Sequence, residues 1–219
     1  MSQGYCLAWE CLGRSGSLAA YSDDGCLLAS QELPGPAGAH LVPEIEATIQ
    51  RLGLPHSLAV AIGPGSFTGL RISTVAARCL AWAESLPVIP VPSLAALACQ
   101  QGPGRWYTLL ALKKDVTFHA AYQVKDQSWQ ELSPVQACED QQAWACPPAA
   151  CVAVGPALAE KPALAQQLGL PLGSPQPLHA EGVAKAALSC PPLAWDQLFP
   201  AYHRPSAAEL QRQHSAAPG

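Results

Sequence analysis

The residues with the clearest chemical potential form a glycine-rich loop between a predicted strand and a predicted helix. The apolar run 58–62 has the length and β-branched content of a buried strand. Residues 63–65, Gly-Pro-Gly, end it, because glycine permits unusual backbone angles and proline cannot continue a hydrogen-bonded ladder. Ser66 or Thr68 can cap the helix that follows. A strand, a glycine loop and a helix N-terminus in this order can bind a phosphate group.

The same loop also has a purely structural interpretation, which the surrounding residues favour. No lysine follows the glycines at the spacing of a P-loop. Glycines at such a junction also allow a strand and a helix to pack closely. We therefore expect this loop to serve packing rather than ATP hydrolysis.

Hydrolase chemistry finds little support in the sequence. None of the six histidines lies three or four residues from another, so no histidine pair shares a helix face as metal ligands. Gly65 and Ser66 lack the Gly-x-Ser-x-Gly pattern of a nucleophile elbow. The sequence predicts neither a metal hydrolase nor a serine hydrolase.

Composition narrows the class of protein further. The chain has 219 residues, of which 49% are hydrophobic and 13% charged, with a net charge of −4. An acidic chain attracts RNA poorly, so any role on RNA requires a basic partner. Nine cysteines without a Cys-x-x-Cys pair indicate buried thiols in a reducing compartment. No signal peptide or membrane span is predicted, and we expect a cytoplasmic protein.

Strands and helices alternate along the first part of the chain. We predict strands at 5–10, 17–21, 26–33, 58–62 and 86–92, a turn at 22–25, and helices at 41–52, 70–86 and from Ser93, which caps its own helix. Gly53 is predicted to end the helix at 41–52.

The second part repeats this order, with strands before helices. We predict strands at 106–112, 117–124 and 129–132, a turn at 113–115, and helices at 157–168 and 180–188. The repetition predicts a duplicated α/β protein. Its parts are an N-terminal lobe at 1–103, a C-terminal lobe at 104–204 and a flexible tail at 205–219.

The run from Gly63 to Arg71, Gly-Pro-Gly-Ser-Phe-Thr-Gly-Leu-Arg, resembles the bacterial TsaB (YeaZ) family. The alanine-rich helix that follows and the segment 86–97 share this resemblance, and the hairpins at 5–33 and the segments 41–45 and 199–204 resemble the family less strongly. The resemblance implies the actin-like ATPase fold (ASKHA, ribonuclease H-like). That fold has two duplicated lobes of mixed sheet flanked by helices.

The resemblance also implies a role in making threonylcarbamoyladenosine beside the anticodon of tRNAs that read codons beginning with A. In that system, TsaB is the non-catalytic partner of its paralogue, the transferase TsaD, and a small ATPase, TsaE, joins them. We therefore expect no cofactor in this chain, ATP and metal on the partner subunits, and contact with tRNA only through the complex. A homodimer is the alternative assembly.

This chain departs from the family where nucleotide contacts are expected. The family usually has Asp-Thr-Ser-Thr at the first hairpin, whereas this chain has Glu-Cys-Leu-Gly at 10–13. Glu10 can replace an acid that binds metal, but Cys11 and Leu12 remove hydroxyls that would bind phosphate. In the second lobe, Ala-Leu-Lys-Lys at 111–114 stands where Asp-Ala-Arg is common. These departures weigh against nucleotide turnover.

The predicted helix at 70–86 is apolar on more than one side, so it needs cover on more than one side. One side packs on the sheet. The resemblance implies that another side, with the helix at 39–52, packs on a TsaD-like subunit or a second copy. The predicted interface residues are Leu41, Ile45, Leu70, Arg71, Thr74, Val75 and Arg78. The two arginines either pair with acids of the partner or remain solvated at the rim.

Two other functions remain open at this point. The chain could be an actin-fold enzyme acting alone, as a small-molecule kinase or ATPase. It could also be a homodimer in an unrelated assembly. Tight ATP binding with turnover distinguishes the first from a scaffold, and co-purification from cells distinguishes the second.

Overall fold

Two β-sheets, with helices between them and on their outer faces, make up the fold. The computed structural model describes residues 4–13, 15–113, 116–139, 148 and 150–203, without the side chains of residues 113, 164 and 165. The strands are β1 (Tyr5–Glu10), β2 (Gly16–Ser22), β3 (Leu27–Leu33), β4 (Ser57–Gly63), β5 (Val88–Pro92), β6 (Gly104–Lys113), β7 (Val116–Lys125), β8 (Ser128–Glu139) and β9 (Val152–Val154). The α-helices are α1 (Leu41–Leu52), α2 (Phe67–Glu84), α3 (Ser93–Gln100), α4 (Ala157–Glu160), α5 (Pro162–Gln167) and α6 (Ala180–Ala187).

The two sheets share one topology. The first has the order β3-β2-β1-β4-β5 and the second the order β8-β7-β6-β9. In each, three antiparallel strands are followed by a strand that pairs parallel to the first of them, β4 to β1 and β9 to β6. This duplicated mixed sheet flanked by helices confirms the predicted actin-like fold class.

The hydrophobic core divides by the faces of the sheets. Alternate residues of a strand point to opposite faces: Leu7 and Trp9 of β1 pack with α1 and α2, whereas Ala8 packs with α3 and α6. The α3–α6 layer also contacts Phe118 and Tyr122 of β7, so these two helices lie between the sheets. A smaller core covers the far face of the second sheet beside α4. Because α6 packs against both sheets, the lobe boundary at residue 103 stays a prediction.

Several local predictions are confirmed. Gly25 has a φ of 82° and donates its amide to the Ser22 carbonyl, as the predicted turn requires. Gly53 ends α1 with a φ of 85°. Ser66 caps α2, accepting a hydrogen bond of 3.1 Å from the Gly69 amide.

Other local predictions are wrong. Strand β8 runs over Ser128–Glu139 rather than 129–132. The helix predicted at 157–168 is two helices, since Pro162 has no amide hydrogen with which to continue α4. The hydroxyl of Ser93 does not cap α3 but accepts a hydrogen bond of 3.1 Å from the Gly63 amide. The predicted turn at 113–115, apart from the end of β6, and the predicted tail at 205–219 lie outside the described residues.

Residues 193–203, which we call the return segment, run from the end of the second half back onto the first sheet. Val88 and Leu193 exchange two backbone hydrogen bonds of 3.0 and 2.7 Å at the edge strand β5. Leu198 is fully buried with the α1–α2 core. The Ala201 amide donates to the Ile62 carbonyl at 2.8 Å. The return segment therefore adds hydrogen bonds and a buried side chain to the first sheet and its core.

Half of the described cysteines are buried: Cys11, Cys99, Cys138 and Cys151. All eight cysteines of the described ranges are free thiols. Among the residues that the structure describes, no helix is long and apolar enough to cross a membrane.

Candidate functional site

The glycine loop before α2 is filled by the hairpin between β1 and β2. The Ser66 amide donates to the Leu12 carbonyl at 3.2 Å, and the Gly69 amide donates to Ser66 Oγ at 3.1 Å. A side chain on Gly65 would meet Leu12, and one on Gly69 would overlap the Cys11 carbonyl. The glycines of this stretch therefore permit close packing, and two of the amides that could face a phosphate are already engaged.

Glu10 is a buried acid at the edge of the cleft between the two halves. The Leu12 amide donates to Glu10 Oε2 at 2.9 Å, and Ser17 Oγ donates to Glu10 Oε1 at 2.8 Å. Burial raises the pKa of Glu10 from 4.5 to about 7, against the effect of these two hydrogen bonds. Ser17 Oγ also accepts a hydrogen bond of 2.8 Å from the Ala180 amide, which fixes the start of α6 to the first sheet.

The cleft beside Glu10 has a volume of about 340 Å³. Its other polar lining side chains are those of Ser15, Ser17, Glu32, Gln100, Glu160, Gln176 and His179. Both oxygens of Glu10 are bonded within the chain. Across the described part of the molecule, no three His, Cys, Asp or Glu side chains are grouped to hold a metal ion. The arrangement suits a structural role for Glu10.

The outward face of α2 is unusually apolar for a surface. Val75 and Trp82 expose 57% and 67% of their area, and Cys79 between them is also exposed. With Arg78 and Trp195, these side chains surround a depression of about 330 Å³. Large exposed apolar side chains grouped together mark a surface that binds another molecule.

The return segment extends this surface with aromatic side chains. Trp195, Phe199 and Tyr202 are 38%, 62% and 43% exposed. The Arg78 guanidinium carbon lies 5.1 Å from the ring centre of Phe199 and 5.7 Å from that of Trp195. These distances are within the range of cation–π attraction.

Arg71, two turns before Arg78 on α2, also contacts aromatic side chains. Its guanidinium carbon lies 5.9 Å from the ring centre of Phe67, and its Nε donates to Tyr202 Oη at 3.2 Å. The rings of Phe67 and Tyr202 are stacked with centres 4.7 Å apart. We call Arg71, Val75, Arg78, Cys79 and Trp82, together with Trp195, Phe199 and Tyr202, the aromatic–arginine surface.

The structure divides the seven predicted interface residues into two groups. Arg71 and Val75 are exposed and Arg78 is half-buried, all on the outward face of α2. The remaining four are buried inside the chain: Leu41, Ile45, Leu70 and Thr74. Leu41 and Ile45 pack in the core beside α1 and α2, and Leu70 packs in the core that contains α3 and α6. The interface itself stays a prediction, restricted to the exposed group.

Sequence reasoning missed the contribution of the return segment. The aromatic residues at 195, 199 and 202 are spaced three or four apart, which is a visible pattern. Their place beside α2 depends on Leu198 entering the first core and on the pairing of Leu193 with Val88. Such long-range contacts leave no local signal in the sequence.

The sequence of this chain is similar to those of several known proteins. A family model described as TsaD, tRNA N6-adenosine threonylcarbamoyltransferase, matches residues 39–110. The tRNA threonylcarbamoyladenosine biosynthesis protein TsaB of Haemophilus influenzae is 31% identical over 47% of this chain and 50% of its own length. The protein of the same name from Bacillus subtilis is 32% identical over 36% of this chain and 35% of its own length.

Solved structures match over more of the chain. A Pseudomonas aeruginosa protein described as similar to the peptidase YEAZ superposes with a TM-score of 0.77 at 23% identity, covering 92% of this chain and 100% of its own. YeaZ from the same organism gives 0.76 at 21% identity, covering 91% and 99%. At this identity the match shows the fold. In sequence, the chain spans about half the length of the H. influenzae relative that it matches.

Proposed function

We propose that this chain, whose predicted resemblance to the TsaB (YeaZ) family is confirmed, is a non-catalytic partner of a TsaD-like transferase. The pair would act in the threonylcarbamoylation of the adenosine beside the anticodon of tRNA. In this assembly, a TsaE-like ATPase joins the pair, and tRNA is contacted mainly through the other subunits. ATP and metal belong to those subunits.

The observation that carries the proposal is the aromatic–arginine surface. Interface centres are enriched in tryptophan, tyrosine and arginine. The surface on α2 combines exposed Trp82 and Val75 with arginines that lie against aromatic rings. Leaving these apolar side chains in water is unfavourable by about 25 cal/mol for each Å². A permanent or frequent partner removes that cost.

The geometry of the cleft favours a non-catalytic role for this chain. The glycine loop donates two of its amides to the chain itself, and Glu10 accepts two hydrogen bonds from the chain. A nucleotide phosphate at this loop would have to compete with Leu12 for the same place. An acidic net charge of −4 disfavours RNA binding by this chain, which is consistent with most RNA contact lying on other subunits.

Co-purification with the TsaD-like subunit of the same cell tests the proposal. We expect the unmodified chain to capture that subunit and Val75→Glu to lose it, because the substitution puts a charge in the middle of the apolar face. Leu172→Glu is the matched control, since Leu172 is 55% exposed but lies beside β9 in the second half. Capture that survives Val75→Glu in a folded variant excludes this contact surface.

Function in the cell provides an independent test. Depletion of the chain should lower threonylcarbamoyladenosine in total tRNA, measured by nucleoside mass spectrometry. Expression of Leu172→Glu should restore the modification, and expression of Val75→Glu should not.

Calorimetry with ATP and magnesium on the isolated chain tests the alternative function, an ATPase or kinase acting alone. Tight binding with turnover by the chain alone would mean that it is an ATPase or kinase in its own right.

A further inference from the structure

Arg71 and Arg78 carry positive charges that no described residue of the chain neutralises. Both contact aromatic rings, and Arg71 also donates to a tyrosine hydroxyl. Among the residues that the structure describes, no carboxylate lies within 4.0 Å of either arginine. Packing against rings restricts the side-chain rotamers of both arginines. Two restrained charges that have no counter-charge within the described part of the chain therefore flank exposed Val75.

The outward face of α2 offers no acid for this purpose. At about 100° per residue, Arg71, Arg78 and Trp82 all lie within about 60° of Val75 around the helix axis. The acid on α2, Glu84, lies about 180° from Val75 by the same count. Any carboxylate that pairs with Arg71 or Arg78 therefore comes from outside α2.

A second copy of α2 does not supply it. In a two-fold dimer with antiparallel α2 helices centred on Val75, Arg71 of one copy would sit about 1.5 Å along the axis from the level of Arg78 of the other. Helices packed at about 8–10 Å would then bring like charges together on both sides of the dyad. Such a contact is unfavourable, so the charge pattern favours a different partner.

We propose that the aromatic–arginine surface binds an amphipathic helix of the partner that carries two carboxylates flanking an apolar residue. Arg71 and Arg78 are seven residues apart, which is about 10 Å along α2. A helix running beside α2 matches them with carboxylates about two turns apart and places its apolar residue on Val75. This inference rests on the proposed function, because it specifies the chemistry of the same surface.

The return segment is part of this site, because it holds Arg78 in place. The Arg78 guanidinium lies within cation–π distance of Phe199 and Trp195, and a guanidinium can also donate a pair of N–H bonds to a carboxylate. A planar cation that is already restrained loses less side-chain entropy when it forms an ion pair. Trp195 and Phe199 are therefore positioning residues for the arginine.

Charge reversal measured by calorimetry with the purified TsaD-like subunit tests the inference. Arg71→Glu and Arg78→Glu should each weaken binding by at least about tenfold, since they place like charges opposite the carboxylates. Arg105→Glu makes the same charge change on exposed Arg105 in the second sheet and should leave the affinity unchanged. The affinity of the unmodified chain should also fall as salt rises from about 0.05 to about 0.5 M.

Milder substitutions separate charge from positioning. Arg78→Lys keeps the charge but loses the planar stacking, and Phe199→Ala removes a ring and leaves the arginine intact. Both should weaken binding less than Arg78→Glu does, with circular dichroism and thermal melts unchanged. If Arg78→Lys binds the TsaD-like subunit more weakly than Arg78→Glu does, the role assigned to the positive charge of Arg78 is wrong.

Three results would overturn the inference in distinguishable ways. If both charge reversals bind within about twofold of the unmodified chain while Val75→Glu does not bind, the interface stands and the carboxylate pairing is wrong. If Val75→Glu binds the TsaD-like subunit as tightly as the unmodified chain does, both the proposed contact surface and the carboxylate pairing are wrong. If the isolated chain is a dimer in light scattering and Arg78→Glu dissociates it, a second copy occupies the surface.

Discussion

The α-carbon of Gly69 faces the carbonyl oxygen of Cys11 so closely that no side chain fits between them. This contact places the first turn of α2 against the tip of the β1–β2 hairpin. The same approach brings the Ser66 amide to the Leu12 carbonyl. The sequence thus tolerates a glycine inside a helix because the hairpin occupies the space of its side chain.

Gly69→Ala should destabilise the protein by about 1–3 kcal/mol or more, because the methyl group forces the hairpin away from α2. In an ordinary helix interior the same change stabilises by about 0.5–1 kcal/mol, so the sign is diagnostic. Chemical denaturation measures it. Gly13→Ala is the control, since a side chain there meets its nearest atom at 3.7 Å. Equal stability of the two variants would contradict the contact.

Glu10 should make stability fall as pH rises. Because burial raises its pKa from 4.5 to about 7, the folded chain holds this proton more tightly than the unfolded chain. The stabilisation is complete below about 4.5 and is lost as pH rises through about 7. Glu10→Gln stays neutral throughout and keeps one side-chain oxygen that can accept from the Leu12 amide, while its NH2 group can donate to Ser17 Oγ. Relative to the unmodified chain, this variant should therefore gain free energy of unfolding, on the order of 3 kcal/mol at most, between about pH 5 and 8.

The measurement is a series of denaturation curves for both proteins across this pH range. A constant difference between them would mean that Glu10 titrates alike in the folded and unfolded chains.

His119 should have the opposite effect on the pH dependence. It is buried in the second sheet, with Nδ1 2.7 Å from the hydroxyl of Tyr107, and burial lowers its pKa from 6.5 to about 4. The unfolded chain therefore takes up this proton first as the solution becomes acidic. The contribution is present above about 6.5 and lost as pH falls through about 4.

His119→Gln removes this titration and keeps a polar side chain beside Tyr107. Between about pH 6.5 and 4, the unmodified chain should lose stability relative to the variant. Glu10 acts in the opposite direction over part of this window, so only the difference between variant and parent is informative. Parallel denaturation curves for the two proteins would show that His119 does not titrate differently on folding.

Leu198 tests whether the return segment is part of the first core. The side chain is fully buried with residues of α1 and α2. Leu198→Ala should cost about 2–5 kcal/mol, as for other buried leucines. Leu188→Ala is the matched control, because Leu188 is 65% exposed, and it should change stability by less than about 0.5 kcal/mol. A loss below about 1 kcal/mol for Leu198→Ala would show that the segment packs loosely.

The sequence predicted the elements whose signals are local. The β-branched run before Gly63, the cap at Ser66 and the stop at Gly53 each depend on a few neighbouring residues, and all three match the structure. The break between α4 and α5 also had a local signal in Pro162. The prediction of one continuous helix gave that proline too little weight.

The site was predicted less completely than the fold, for physical reasons. Helical spacing identifies a stripe of α2, but it does not say which side the sheet covers. Val75 and Thr74 are neighbours in sequence, yet 57% of one is exposed and only 2% of the other. The aromatic half of the surface comes from the return segment, more than a hundred residues away in sequence, which no periodicity could indicate.

The return segment also bears on how the chain is made. The residues of the first sheet emerge from the ribosome before residues 193–203 are synthesised. Until then, the edge of β5 has no Leu193 to pair with, and the core beside α1 and α2 lacks the side chain of Leu198. A nascent chain at that stage lacks Trp195 and Phe199, so its aromatic–arginine surface is incomplete. Synthesis of residues 193–203 is therefore the step that completes the aromatic–arginine surface.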